Sequence, residues 1–476
     1  MTAIGPVDQK AVIKLLIPAL ICNMLAFTSI LPLFPTILNY YSKEGHRDWL
    51  YDVSVKGLQS FQEVIGVPHS ERYDKVFFGG FLGSLFSLLQ FISSPTLGSL
   101  SDIYGRRSII SLCCIVTFIS YVNWLKADTF AYFVLSRILG GLSKGNINVA
   151  TAIVSDVYTP EDHPKGMALI GISYSLGFLI GPMIGAYFST IASADAPFSF
   201  PAMFSIVLTV IEFAFLFFLP ETLDLKEQKS LEDIKKTRKE LITPKDLFQF
   251  TAVNAPQEKK NEMQRIGCIY FLYLFLYSGL EFTLPFLTHL RFDFNNMQQG
   301  KLYLFTGLLM LPIQGRYVRK TPIEGQKRVA EMGMFCIIPA YLLVAFAQTP
   351  LILYAGLFFY AIASATVVTS LTSLVHVIYP QSEKGVLAGI FRSLGCLARA
   401  LGPIVSSTFF WLLGAKYCYT MGALLLVIPY IMLKRTENPA TKKQNNYKKS
   451  YLVVSSLSVS INTFSIILQI RLISAQ

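Results

Sequence analysis

From Phe198 to Leu219 the chain reads "FSFPAMFSIVLTVIEFAFLFFL", with one charged residue, Glu212, in its interior. The hydrocarbon core of a bilayer is roughly 30 Å thick, and about 20 apolar helical residues cross it. Such runs recur along the chain: 13–39, 77–99, 109–126, 130–156, 167–191 and 198–219, then 266–290, 301–315, 329–347, 350–377, 385–413 and 417–433. With no water in that layer, each backbone N–H and C=O must be bonded within the protein, so the runs are expected to be α-helices. The expected fold class is therefore all-α and polytopic, with twelve transmembrane helices. Only 15% of the residues are charged and mean hydropathy is +0.49, against about 25% charged in a soluble domain.

The polar segments divide the chain. Residues 1–220 hold six spans and residues 266–438 hold six more, with a linker rich in Lys, Glu and Asp at 221–265. A second polar segment, 40–76, separates the first two spans. Arg106, Arg107, Arg316, Arg319, Lys320, Lys327, Arg328, Lys434 and Arg435 all fall on the side of the linker, so that side and the N-terminus are expected to be cytoplasmic. Segment 40–76 is then extracytoplasmic. The net charge of +12 suits loops facing anionic lipid and calls for no nucleic acid. Residues 439–476 read as a tail associated with the membrane.

All seven cysteines lie in apolar runs, without metal spacing or a disulfide pattern, and the five histidines are scattered. No HExxH, GxSxG or phosphate-loop motif occurs. An enzyme, a cofactor and a metal are thus not expected.

The chain also repeats itself. "HPKGMALIGISYSLGFLIGPMIG" (163–185) and "SEKGVLAGIFRSLGCLARALGP" (382–403) share Lys-Gly, then Gly-Ile-x-x-Ser-Leu-Gly, then Gly-Pro. These segments lie in spans five and eleven, as expected of two pseudo-symmetric six-helix bundles related by an axis along the membrane normal. At the same place in the phrase the first copy has Tyr174 and the second Arg392.

"GSLSDIYGRRS" (98–108), with Gly98, Asp102, Gly105, Arg106 and Arg107, resembles the loop signature of the major facilitator superfamily, although Ile103 stands where a basic residue is usual. "GFLIGPMIG", with Gly177, Gly181, Pro182 and Gly185, is similar to that family's antiporter motif. "LSRILGGLSKGN" (135–146) and "LPET" (219–222) fit its fourth and sixth helices. The resemblance implies that Asp102 meets the start of span eleven and that Asp156 pairs with a loop arginine, closing a cytoplasmic gate. It implies that spans 1, 4, 7 and 10 line a cavity, that 2, 5, 8 and 11 wall it, and that 3, 6, 9 and 12 face lipid. "FLYLFLYSGLEFTLPFLTHLRF" and "FRSLGCLARALGP" are most similar to an animal branch of the family that carries organic anions. That branch implies the plasma membrane, with the inner nuclear membrane or another endomembrane as the alternative.

Charges inside a bilayer cost about 2.5–3.5 kcal/mol each on insertion scales and mark function. Arg137, Lys144, Glu212, Glu281, Arg392 and Arg399 qualify. Arg137 and Lys144 are seven residues apart in span four, as are Arg392 and Arg399 in span eleven, so each pair shares a helix face. At ~1.5 Å per residue, Lys144 and Arg392 fall at similar depth, and Arg137, Arg399 and Glu281 form an outer tier. Glu281 is expected to pair with Arg137 or Arg399 and is a candidate proton site. Glu212 is expected at the rim, snorkelling to water. Lys144 and Arg392, with no evident acid, are the expected ligands of an anionic group, and Tyr121, Tyr273, Tyr277 and Tyr360 of its apolar body. The function this implies is secondary active transport of amphipathic organic anions by alternating access, coupled to a proton or an anion, with no oligomer required. An exporter of cationic drugs and a non-transporting receptor or scaffold are the alternatives.

Overall fold

The structure is a computed structural model that describes residues 8–65, 71–158, 163–192, 197–223, 243–253, 255–378 and 384–437. The tail at 439–476 and most of the charged linker lie outside them. The first span is helix α1 (Gln9–Thr28), a 3₁₀ turn at Leu31–Leu33 and α2 (Phe34–Tyr41). Pro32 and Pro35 lack the N–H that an unbroken helix needs, so each opens a new helical piece rather than continuing the last. The remaining helices of the first half are α3 (Trp49–Ile65), α4 (Glu71–Tyr104), α5 (Arg106–Leu125), α6 (Phe130–Ser143), α7 (Asn146–Val157), α8 (His163–Ile191) and α9 (Ser199–Phe217). Then come α10 (Pro244–Gln249), α11 (Gln257–Phe292), α12 (Asn296–Pro312), α13 (Ile323–Phe346), α14 (Pro350–Ile378), α15 (Lys384–Leu425) and α16 (Val427–Arg435).

Nine helical stretches among the described residues are long and apolar enough to cross a membrane, the last of them Gly389–Arg435. That stretch holds two spans, because the backbone reverses at Gly414 with φ +79°. Two further spans cross in pieces. Span four is cut at Lys144–Gly145, between α6 and α7, and span eight passes from α12 into a π-helical stretch at Ile313–Val318. The fold is thus the expected all-α, twelve-helix arrangement.

Within the first six-helix bundle, α1 packs on α8 and α9, and α5 on α6 and α9; in the second, α11 packs on α15, and α13 on α14 and α15. The bundles meet along α4 with α15 and along α8 with α12. Large apolar side chains are exposed on spans three (Leu112, Ile115, Ile119), six (Val207, Val210), nine (Phe335) and twelve (Leu424, Ile428), which the resemblance assigns to lipid, but also on spans two (Ile92), four (Leu135), five (Ile180), eight (Leu308) and ten (Phe358), so exposure alone does not set those four apart.

Segment 40–76 is largely helical: α3 occupies Trp49–Ile65. Asp48 caps it, accepting from the Tyr51 amide at 2.9 Å, and also accepts from the Ala131 amide of α6 at 2.6 Å. One carboxylate thereby satisfies open donors of two helices. In the linker, Leu247 and Phe250 are buried, and Phe250 lies 5.9 Å ring to ring from Phe391 of α15. The end of the linker is anchored on the second bundle rather than fully solvated.

Candidate functional site

Tyr174 of α8 and Arg392 of α15 come together between the two bundles: the tyrosine hydroxyl is within side-chain hydrogen-bonding reach of the guanidinium. Arg392 Nε is buried and has no hydrogen-bond partner among the described residues. Arg399, two turns further on, interacts electrostatically with Tyr270, Glu281 and Tyr174. It is accessible to solvent, although Leu401, about 200° round the helix at 100° per residue, takes the outward side at 43% exposure. Neither arginine has an ion-pair partner within 4 Å among the described residues.

Lys144 is different. Its Nζ donates to Asn23 Oδ1 at 2.8 Å, and Asn23 Nδ2 donates to the Glu212 carboxylate at 3.0 and 3.1 Å. The ammonium also lies 4.2 Å from the centroid of the Phe27 ring, a favourable place for a cation. Glu212 is therefore not at the rim. It is 2% exposed, and it shares the stripe Ser205, Thr209, Glu212, Leu216 that α9 turns toward α1 and α5. The helix shows lipid its other face. Lys144 thus has an acid that sequence reading missed, reached through Asn23, and it still interacts electrostatically with Arg392.

Arg137 turns into the first bundle. Its guanidinium carbon sits 5.5 Å from Trp124 and 5.4 Å from Phe133, and its Nη2 is buried without a partner among the described residues. Tyr121 lies in the same aromatic box. The expected pairing of Glu281 with Arg137 is not formed, because the two side chains point into different bundles. Glu281 instead accepts from the Tyr360 hydroxyl at 2.8 Å, and Tyr277 bonds to Tyr360 at 2.7 Å. The rings of Tyr273, Tyr277 and Tyr360 stack at 5.5 and 5.4 Å. Arg399 interacts with Glu281 electrostatically but not as a contact pair.

On the face carrying the basic loops, Arg106 Nε donates to Asp156 Oδ2 at 3.0 Å, and Nη1 donates to Ser101 at 2.7 Å and to Asp102. Glu221 of "LPET" accepts from the amides of Arg106 and Arg107 at 2.8 and 3.1 Å. A carboxylate there meets the unsatisfied donors and the positive end of α5. Gly105 has φ +92°, a conformation that favours glycine, and a Cβ on it would fall 2.3 Å from Glu221 Oε2 and displace that carboxylate. Span eleven, whose start Asp102 is expected to meet, begins at Lys384, directly after residues outside those described. Gly98 makes only ordinary contact, with Asn148.

Gly177, Gly181 and Gly185 bring α8 against α1, where added Cβ atoms would lie 2.4 Å from Met24, 2.0 Å from Thr28 and 1.9 Å from the Ser29 carbonyl. Thr28 Oγ1 donates to the Gly177 carbonyl at 2.7 Å. Pro182 lies inside α8. On the opposite face Asn39 meets His289 at 3.3 Å, and Thr36 donates to Asn296 at 2.6 Å, joining the bundles there.

The sequence pattern of the Major Facilitator Superfamily matches residues 16–403. The chain is 40% identical over 442 residues to "Major facilitator superfamily domain-containing protein 10" of Mus musculus, covering 91% of this chain and 95% of the relative. It is 24% identical over 355 residues to the class B tetracycline resistance protein of Escherichia coli, covering 71% and 83%. Its fold matches the crystal structure of the human organic anion transporter MFSD10 (TETRAN) with a TM-score of 0.76 and 38% identity, covering 90% of this chain and all of that one. With its paired bundles, its apolar spans and these matches, this chain is a multi-pass membrane transporter, and it belongs to the Major Facilitator Superfamily.

Proposed function

We infer that the chain carries amphipathic organic anions across its membrane by alternating access, with the anionic group held at Arg392 and Arg399. The observation that carries this reading is the pair of cavity-side arginines without a carboxylate in contact, one with a buried, unpartnered Nε. Burying the Arg392 Nε without a partner is costly, and a substrate anion relieves it. Tyr174 and Tyr270 beside them give the apolar body a partly polar wall. Likeness to a solved organic anion transporter supports the same substrate class.

The remaining parts fit a gated carrier. Residues 1–220 and 266–438 are the two rocking halves, and the basic loops and N-terminus face the cytoplasm. The cluster of Asp102, Arg106, Asp156 and Glu221 braces the cytoplasmic ends of spans two to four and six. Gly177, Gly181, Pro182 and Gly185 give α8 a close, rigid seat on α1. Residence in the plasma membrane is what the resemblance to that branch implies.

The test is uptake of radiolabelled 2-naphthalenesulfonate into proteoliposomes. Wild type accumulates it, and Arg392→Ala loses at least about tenfold, the order expected for a charge-assisted contact of ~1.5–3 kcal/mol. Wild-type uptake no greater than in empty vesicles, or an Arg392→Ala variant equal to wild type, removes the anion site. A second reading rests on Glu281: a carboxylate beside stacked tyrosines also suits a cationic drug. A cationic dye run in the same vesicles separates the two.

A further inference from the structure

The Lys144–Asn23–Glu212 chain lies off the Arg392–Arg399 pair, yet Lys144 interacts with Arg392. It joins three helices of one bundle and ends in a carboxylate buried to 2% exposure. As it stands, the pair is internally neutral: an ammonium and a carboxylate bridged by one amide. Asn23 fits between them in one orientation only, its Oδ1 toward the donor Lys144 and its Nδ2 toward the acceptor Glu212. That orientation suits a charged lysine and an ionised glutamate.

The groups that face Glu212 are few. From α1 come Asn23 and Cys22, from α5 Cys113, Cys114 and Tyr121, and from the end of α6 Lys144. Cys114 Sγ is in hydrogen-bonding reach of the carboxylate. From α8, the other helix against α9, no titratable group interacts with it among the described residues. Arg392 of α15 acts on Lys144 from the other bundle. Glu212 therefore has one cation, one amide and one thiol holding its charge.

We propose that Glu212 is a proton-binding site, and that its protonation frees the Lys144 ammonium to hold a substrate anion together with Arg392. The proposal rests on the anion reading above. In the step, a proton from water adds to the Glu212 carboxylate, giving the neutral acid, while Lys144 stays an ammonium. The site gains one positive charge, which the incoming anion cancels. Proton and anion each favour the binding of the other, as reciprocal linkage requires. They are then carried in the same direction, which makes the protein a proton–anion symporter rather than an exchanger of the two.

The experiment uses the full chain in proteoliposomes with 2-naphthalenesulfonate, whose charge does not change with pH, and with membrane potential clamped to zero. Wild type accumulates the sulfonate when the outside is acidic, up to about tenfold per unit of pH gradient for one proton per anion. Glu212→Gln, which mimics the protonated acid, keeps exchange of labelled for unlabelled sulfonate but loses the pH-driven accumulation. Glu212→Gln that accumulates like wild type overturns the proposal, as does wild-type uptake indifferent to the gradient. A further measurement needs no variant: purified wild type in weakly buffered detergent takes up protons when the sulfonate is added. Sulfonate that binds without proton uptake also overturns it. A wild type that moves no sulfonate under any gradient points instead to failure of the anion reading itself.

Discussion

Tyr174 and Arg392 hold the same place in the two copies of the repeated phrase, and they meet across the bundle interface. The pseudo-symmetry that relates the halves thus brings its own equivalent positions together at the centre. The substitution of arginine for tyrosine in one copy makes that meeting point charged on one side only.

Exchanging the two residues tests the contact. Arg392→Tyr alone removes the charge, and sulfonate uptake falls at least about tenfold. Combined with Tyr174→Arg, the charge returns from the opposite wall, and uptake rises above that of the single variant. A double variant as inactive as Arg392→Tyr shows that the guanidinium acts from α15 alone.

Glu281→Gln separates substrate classes. Removing a negative charge that interacts with Arg399 strengthens anion binding, so the KM for the sulfonate drops several-fold. For a cationic substrate the same change raises KM. A KM unchanged for both probes places Glu281 outside the cavity chemistry.

Glycines on α8 differ sharply in what they face. Gly185→Ala drives a Cβ into the Ser29 carbonyl at 1.9 Å, whereas Gly171 has nothing within 4 Å. Gly185→Ala is expected to cost about 1–3 kcal/mol of overpacking, and Gly171→Ala to gain as much as ~1 kcal/mol of helix propensity. Thermal unfolding of the purified variants in detergent reads both signs, and equal Tm values refute the close seat.

Glu221→Ala strips the cap from α5 and leaves four amides, those of Arg106, Arg107, Thr222 and Leu223, without their acceptor. Loss of about 1–2 kcal/mol follows. The same unfolding assay checks it, and a Tm within error of wild type assigns those amides to water.

The spans and the repeat are legible in the sequence because long apolar runs and a copied phrase survive without knowledge of packing, whereas the lipid-facing helices are implied only by the family resemblance. Side-chain partners are less so. Arg137 and Lys144 share a helix face, but spacing fixes Cα–Cβ directions and not the tips of long side chains. One tip rests against Trp124 and the other against Asn23. Glu212 was obscured because its helix borders lipid, and a helix can do that while turning one stripe inward. The small and polar residues Ser205 and Thr209 on that stripe are the signal for it. Glu221 stands inside a recognisable phrase, but its role as a cap needs the positive φ at Gly105, which composition does not report.

The cut in span four at Lys144–Gly145 bears on how the chain is made. Two short helical pieces carrying Arg137 and Lys144 cost about 5–7 kcal/mol to place in lipid on insertion scales. The countercharge for Lys144 sits on α9, two spans later in synthesis. Span four is therefore less costly to insert together with its neighbours than alone. A nascent chain halted before Glu212 emerges holds an unneutralised lysine in its half-built bundle.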